Sequence, residues 1–288
     1  MSNVDNPIKV IVIGDVVGRA GRKCLKELLP QLKASFSADL VIANGENAAG
    51  GFGITKKIFL QMTNDFGVSA ITTGNHWHDK KEIYSFKDQN DNLLLPANMY
   101  NVDKESKGYC LLPVAGDKKV ALINLTGRVF MKGDNRCPFE AFDKIYNLLK
   151  EETKTFIVDF HGEATSEKQA FAQYVRGRCT LLYGTHTHCP TADERIFDNS
   201  MGYVTDVGMT GSYDSVIGVK TSASLGFFLG KGKAKFEPSN LEPWLCALLC
   251  SIDLSSGRCL ELSRKRIELA GQASDDFTTP KTYAMPGS

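Results

Sequence analysis

All five histidines of this 288-residue chain fall in three short segments. They are "GNHWH" (His76 and His78), "DFHGE" (His161) and "GTHTH" (His186 and His188). Each segment closes a run of apolar residues. Two earlier runs close on acids and amides: "IVIGD" with Asp15, and "VIANGEN" with Glu46 and Asn47. Asn75 stands immediately before His76. Carboxylate, amide oxygen and imidazole together suit Mn, Fe, Zn or Ni better than a thiolate-rich structural site would. The number of such groups points to two metals. A carboxylate can bridge such a pair, and ions roughly 3.5–4 Å apart clamp the attacking and leaving oxygens of phosphoester hydrolysis. Singly, each residue has a plainer reading. Asp15 could cap a helix, Asn47 and Asn75 could form turns, and His161 alone would be a satisfied half-buried histidine. Their joint occurrence at five strand ends is the specific signal. The pair in "YGTHTHCP" stays open between a metal site, an acid–base pair and two polar residues at a loop mouth.

The positioning elements follow from hydrophobic patterning. "IKVIVIGD" (8–15), "DLVIANGEN" (39–47), "VSAITTGNH" (68–76), "KKVALINLTGR" (118–128), "KTFIVDFHGE" (154–163) and "CTLLYGTHTH" (179–188) read as buried strands. Between them lie helical stretches. "GRKCLKELLPQLKASF" is broken or kinked at Pro30, "TKKIFLQMTNDFG" stops at Gly67, and "FEAFDKIYNLLKEE" follows. "TSEKQAFAQYVRG" takes Thr165 as its N-cap. Strands alternating with helices predict an α/β fold with a substantially parallel sheet, where ligands gather beyond the carboxyl ends of strands. In the last third, "RIFDNSMGYVTDVG", "ASLGFFLG" and "PWLCALLCSIDLSSGRCLELSRKRIEL" read as shorter hairpin strands, with a turn at "DLSSGRC". No linker is visible. The expected organisation is one domain over 1–275 and a mobile tail over 276–288.

The composition is 42% hydrophobic and 23% charged, with a net charge of +1. That is ordinary for a globular protein and gives no electrostatic bias toward nucleic acid or membrane. No apolar run is long enough to span a bilayer, and the N-terminus lacks the pattern of a signal peptide, so a cytoplasmic location is expected. The eight cysteines are dispersed without a CxxC pair and read as small buried hydrophobes. Cys189, beside the histidine pair, reads as a bystander. The glycines at 14, 18 and 21 do not have dinucleotide-fingerprint spacing, and no P-loop is present.

In order, the forms "GDVVGRAGR", "NGENAAGGFGIT", "TGNH", "PANM", "DFHGEATSEK", "GTHTHCPTAD" and "DVGMTGSYDSVIGV" resemble the calcineurin-like metallophosphoesterase superfamily. Within it they resemble the YmdB-type branch of bacterial 2′,3′-cyclic-nucleotide phosphodiesterases. The resemblance runs from about Ile8 to about Val219. It implies a four-layer α/β/β/α sandwich with a dinuclear site at the carboxyl ends of the strands. It implies that Asp15, Glu46, Asn47 and His188 hold one metal, and that Glu46, Asn75, His161 and His186 hold the other. Iron or manganese is implied first and zinc second. Val17 stands where the wider superfamily has histidine, and Glu46 where it has aspartate; both departures mark the branch. His78 departs from the branch as well and is not carried over as a ligand.

The resemblance further implies in-line attack on a small phosphodiester by a metal-bridging hydroxide. His76 would stabilise the transition state or protonate the leaving oxygen. The expected substrate is a 2′,3′-cyclic nucleotide. Arg128 is a candidate phosphate contact, weighed equally against a surface ion pair. A homo-oligomer is expected, with "PWLCALLC" as a possible interface. The rival readings are a non-catalytic metal or nucleotide sensor on the same fold and a nuclease, which the near-neutral charge disfavours.

Overall fold

The computed structural model describes residues 7–99, 108–114, 116–231 and 235–269. The expected tail, 276–288, lies outside them.

Ile8–Ile13 forms β1, and Gly18–Phe36 forms α1. β2 (Leu40–Asn44) and α2 (Lys56–Leu60) follow, with α2 continuing as a π-helical turn, Gln61–Asp65. β3 (Ala70–Thr72) and β4 (Leu93–Leu94) complete the first third. The middle of the chain contains β5 (Tyr109–Pro113), β6 (Lys119–Thr126), α3 (Pro138–Leu149), β7 (Phe156–His161), α4 (Thr165–Val175) and β8 (Leu181–Thr185). β9 (Arg195–Phe197), β10 (Met201–Val204), β11 (Gly211–Ser212), α5 (Thr221–Phe228), β12 (Pro243–Asp253) and β13 (Arg258–Glu268) end it.

Two sheets result. The first has the order β11-β12-β1-β2-β3-β4, with β13 on β12; the second has the order β5-β6-β7-β8-β10-β9. β1 through β4 run parallel to one another, as do β6, β7, β8 and β10. Parallel strands flanked by helices are buried on both faces, which accounts for unbroken runs such as Val10–Ile13 and Leu40–Ala43. One apolar cluster joins the sheets: Val10, Val12, Leu40 and Ile42 of the first meet Leu122, Ile157, Leu181 and Tyr183 of the second. A second cluster sets Leu25, Leu29 and Leu32 of α1 against Ile11, Ile13 and Val41. A third sets Phe142 of α3 and Phe171 of α4 against Ile123, Val158 and Phe160. Among the described residues, no helix is long and apolar enough to cross a membrane.

Several expectations need correction. Pro30 does not break α1, which continues to Phe36. Pro30 is on the exposed side, while Leu25, Leu29 and Leu32 keep the other side packed. Thr165 is the first residue of α4 rather than its cap; Ala164 occupies the cap position without a side-chain bond. "ASLGFFLG" lies in helix α5 and its C-cap, not in a strand, because a short apolar run carries no decisive period. "PWLCALLC" is no free interface. It forms β12, buried and hydrogen-bonded to β1, β11 and β13. Nor are β12 and β13 short, at 11 residues each.

Candidate metal centre

Asp15 follows β1, Glu46 and Asn47 follow β2, and Asn75 and His76 follow β3. His161 ends β7, while His186 and His188 follow β8. All are at carboxyl ends of parallel strands, and the packing of the two sheets brings them together. Alternate residues of an extended chain would point to opposite faces. The backbone past Thr185 removes that alternation, with φ 100° at His186 and 65° at His188. Such left-handed geometry is uncommon outside glycine and clusters where surroundings enforce it. Here Thr187 N and Oγ1 both donate to Asp206 Oδ2, at 3.2 and 2.9 Å. Lys168 Nζ donates to that same oxygen at 2.8 Å and to the Thr185 carbonyl at 2.9 Å.

The imidazole tautomers follow from their partners. Thr185 Oγ1 donates to Asp159 Oδ1 at 2.7 Å, so His161 Nδ1, 2.9 Å away, must donate to Thr185. This leaves His161 Nε2 facing Asn75 Oδ1 and Glu46 Oε1, each at 3.1 Å, a position that either a proton or a cation can satisfy. His186 directs Nε2 to Glu163 Oε2 at 3.1 Å, leaving Nδ1 3.0 Å from His161 Nε2. His188 Nδ1 donates to the Ile217 carbonyl at 2.8 Å, leaving Nε2 3.2 Å from Asn47 Oδ1. Asn47 Nδ2 is committed to the Gly51 carbonyl, which fixes which end of the amide faces the histidine.

With His161 neutral, the form a cation would bind, acceptors face acceptors across this centre. Asp15 Oδ1 is buried without any hydrogen-bond partner, while its Oδ2 accepts from the His186 amide. A buried acceptor without a donor is costly, and a cation relieves several such acceptors at once. The donor set, nitrogen and carboxylate or amide oxygen, fits a transition metal. Glu46, His161 and His186 place their ligand atoms within 4.8 Å of one another.

Without a cation, a proton on His161 Nε2 takes the place between these acceptors. Burial would raise the Glu46 carboxyl, but His161 beside it wins and holds it down at about 2. Burial would lower His161, but Glu46, Asp15 and Asp159 raise it to about 9. Burial, reinforced by His161, pushes His186 down to about 3, so its imidazole is neutral and keeps a lone pair. Burial also raises Asp15, and lifts Asp159 to about 6.

A cavity of about 330 Å³ opens over Glu46, Asn47, His76, His186 and His188. His76 Nδ1 is bonded to Asp79 Oδ2 at 2.8 Å, and its backbone amide donates to Glu46 Oε2. Arg128 does not line this cavity. It lines another, of about 530 Å³, with Asn98, Asp134, Arg136, Glu140 and Lys144. His78 and Cys189 are exposed and do not line the centre's cavity. Sequence reasoning missed Asp79, Asp159, Glu163, Lys168 and Asp206. Asp159 carried a signal, a lone acid inside the apolar run "FIVDF". The others bond across sequence gaps or sit on helix and loop positions where a charged residue is unremarkable.

The profile of the YmdB-like protein family matches residues 11–265. A 2′,3′-cyclic-nucleotide 2′-phosphodiesterase of Bacillus subtilis is 38% identical over 257 residues, covering 89% of this chain and 96% of the relative. A Mycoplasma pneumoniae protein named "Putative phosphatase/phosphodiesterase" is 35% identical over 271 residues, covering 91% and 94%. Among solved structures, a phosphatase from Mycoplasma pneumoniae superposes with a TM-score of 0.85 at 34% identity, covering 91% of this chain and 94% of its own. A hypothetical protein from Thermus thermophilus superposes with a TM-score of 0.83 at 34% identity, covering 91% and 99%. With the match running nearly end to end, the chain belongs to the YmdB-like family.

Proposed function

We propose that this protein is a metal-dependent phosphoric diester hydrolase acting on small phosphodiesters, 2′,3′-cyclic nucleotides among them. The observation that carries the reading is the buried, unpartnered Asp15 Oδ1 beside the converging ligand atoms of Glu46, His161 and His186. The relatives named as phosphodiesterases support the reaction class. In this reading two transition-metal ions, iron or manganese before zinc, occupy the centre. Asp15, Asn47 and His188 would hold one, and Asn75, His161 and His186 the other, with Glu46 within reach of both. A single domain with four layers, two central sheets between outer helices, carries the site; the three apolar clusters support it.

Ions held there would supply neutralisation of phosphoryl charge and a water acidified toward neutral pKa. The protein's own groups do the rest. With Nδ1 committed to Asp79, His76 has Nε2 left to meet substrate. Protonated there, it hands its proton to the alkoxide as the P–O bond to the sugar breaks. Glu163 and the Ile217 carbonyl hold the two loop imidazoles in fixed orientations.

The same reading includes a homo-oligomer. Leu225, Phe227, Phe228 and Leu229, exposed at the end of α5, supply the apolar surface for it. Light scattering tests that part.

The main test is an assay of purified protein with Mn²⁺ or Fe²⁺ on bis(p-nitrophenyl) phosphate and 2′,3′-cyclic AMP. Activity that survives chelation or Asp15→Ala would overturn the mechanism.

A further inference from the structure

The cavity over the metal centre has two chemistries. Its floor is Glu46, His76, His186 and His188. Its wall is apolar: Phe52, Ile217, Val219, Phe236 and Pro238. No metal chemistry needs the wall. A bare phosphate ester held on the floor would leave it in water.

The wall is built, not incidental. Pro238 is wedged against the glycines at both of its neighbours, since a Cβ on Gly18 or Gly51 would press into its ring. Phe236 is 40% exposed and is braced edge-on by Phe227, ring centroids 5.5 Å apart. Phe52 stands edge-on to His76 at 5.0 Å. Ile217 is the most telling member. It is β-branched yet has φ 47°, a backbone state that such residues resist. That state aims its carbonyl at His188 Nδ1 and leaves its side chain 53% exposed in the cavity. Strain of this kind persists at ligand sites when neighbours over-determine it. Here a hydrogen-bonded bridge between Val216 and Val219 closes the turn around it.

We infer that this wall seats the nucleobase of a mononucleotide diester, making Ile217 and Phe236 specificity-determining residues. The inference rests on the reading of the floor as a phosphodiesterase site. An anionic phosphoryl group on the floor and a planar, weakly polar ring on the wall match the two chemistries of the cavity. Aromatic side chains with accessible faces stack on any base. The volume, about 330 Å³, is at the small end of the roughly 300–1,000 Å³ usual for small-molecule sites. It suits one nucleotide rather than an oligonucleotide.

The test compares two cyclic diesters, 2′,3′-cyclic AMP and the base-free glycerol 1,2-cyclic phosphate, on Mn²⁺-loaded protein. The variants are Phe236→Ala, Phe236→Tyr and Phe236→Leu, each checked for an unchanged melting temperature. Loss of a stacked ring corresponds to about 5- to 150-fold in binding. Phe236→Ala should therefore raise KM for the nucleotide about tenfold or more with kcat held. It should leave the glycerol ester unaffected, and Phe236→Tyr should restore the nucleotide KM. Equal effects on both esters, or none on the nucleotide, would overturn the proposal. If Phe236→Ala misfolds, Phe236→Leu, which keeps apolar bulk but no ring, decides by the same split. If the wild type hydrolyses neither ester, the diesterase reading fails by itself. Calorimetric titration with adenosine 3′-phosphate then decides the wall: affinity that drops in Phe236→Ala supports it, and undiminished affinity overturns it.

Discussion

Lys168 of α4 and Asp206 after β10 form an ion pair of 2.8 Å, both sealed from solvent, directly beneath the loop that carries His186 and His188. Asp206 also receives Thr187 N, Thr187 Oγ1 and Gly208 N, so the pair is a fully bonded network rather than a bare contact. Removing one partner of such a pair strands a buried charge, which costs about 3–5 kcal/mol. Lys168→Met and Asp206→Asn should each lower stability by that order and impair turnover. The double variant should lose less than the sum of the two. Thermal unfolding of the four proteins measures the coupling, and strictly additive losses would show that the two residues act separately.

His76 and Asp79 should separate chemistry from metal binding. His76→Ala is expected to lower kcat by about 10²–10⁴ while metal content stays at the wild-type level. Asp79 touches the imidazole only at Nδ1, so Asp79→Asn should lower kcat by roughly 10- to 100-fold with little change in KM. Elemental analysis alongside steady-state kinetics checks both. Metal lost from the His76 variant would make His76 a ligand.

Gly74 is required for room, not for conformation. A Cβ there would collide with Glu46 Oε2, His161 Nε2 and His161 Cδ2. Gly74→Ala should therefore empty the centre of metal and destabilise the fold by about 1–3 kcal/mol, the usual cost of overpacking. A variant that binds metal normally contradicts this account of the "GNH" segment.

The metal-free protein should have a characteristic pH profile. His161 rises from 6.5 to about 9 on folding, so its stabilising contribution is complete below pH 6.5 and lost by about pH 9. His186 falls to about 3, so its destabilising contribution fades as pH rises from 3 to 6.5. Asp159 is raised to about 6, so its destabilising contribution grows from pH 3.8 and is complete by about pH 6. Stability in chelator should then decline between pH 6.5 and 9 by on the order of 3 kcal/mol, with His161 as the source. Metal ligation removes the proton from His161 and should flatten the decline. Melting curves at pH 6.5 and 9, with chelator and with Mn²⁺, measure both arms; a flat curve in chelator contradicts the assignment.

Much of the scaffold was legible because buried parallel strands write themselves as continuous apolar runs. Asp15, Glu46, Asn47, Asn75, His161, His186 and His188 all follow or close such runs and come together in space. What was illegible is equally physical. "ASLGFFLG" is apolar throughout, so no period distinguishes helix from strand. Pro30 falls on the solvent side of α1, where packing on the opposite side carries the helix past it. "PWLCALLC" is apolar because β12 lies inside a sheet, and burial within a fold and burial at an interface leave the same pattern. Lys168 and Asp206 are 38 residues apart and meet only in three dimensions.

Thr72 and Asn44 of the first sheet both donate to Asp159 Oδ2 of the second, at 2.5 and 3.1 Å. The centre thus straddles a seam, with Asp15, Glu46, Asn47 and Asn75 on one side and His161, His186 and His188 on the other. An ion held there would fasten the two sheets as well as serve as a reagent. Starving the protein of metal should loosen that junction, so loss of activity and new susceptibility to proteases should arrive as a single event.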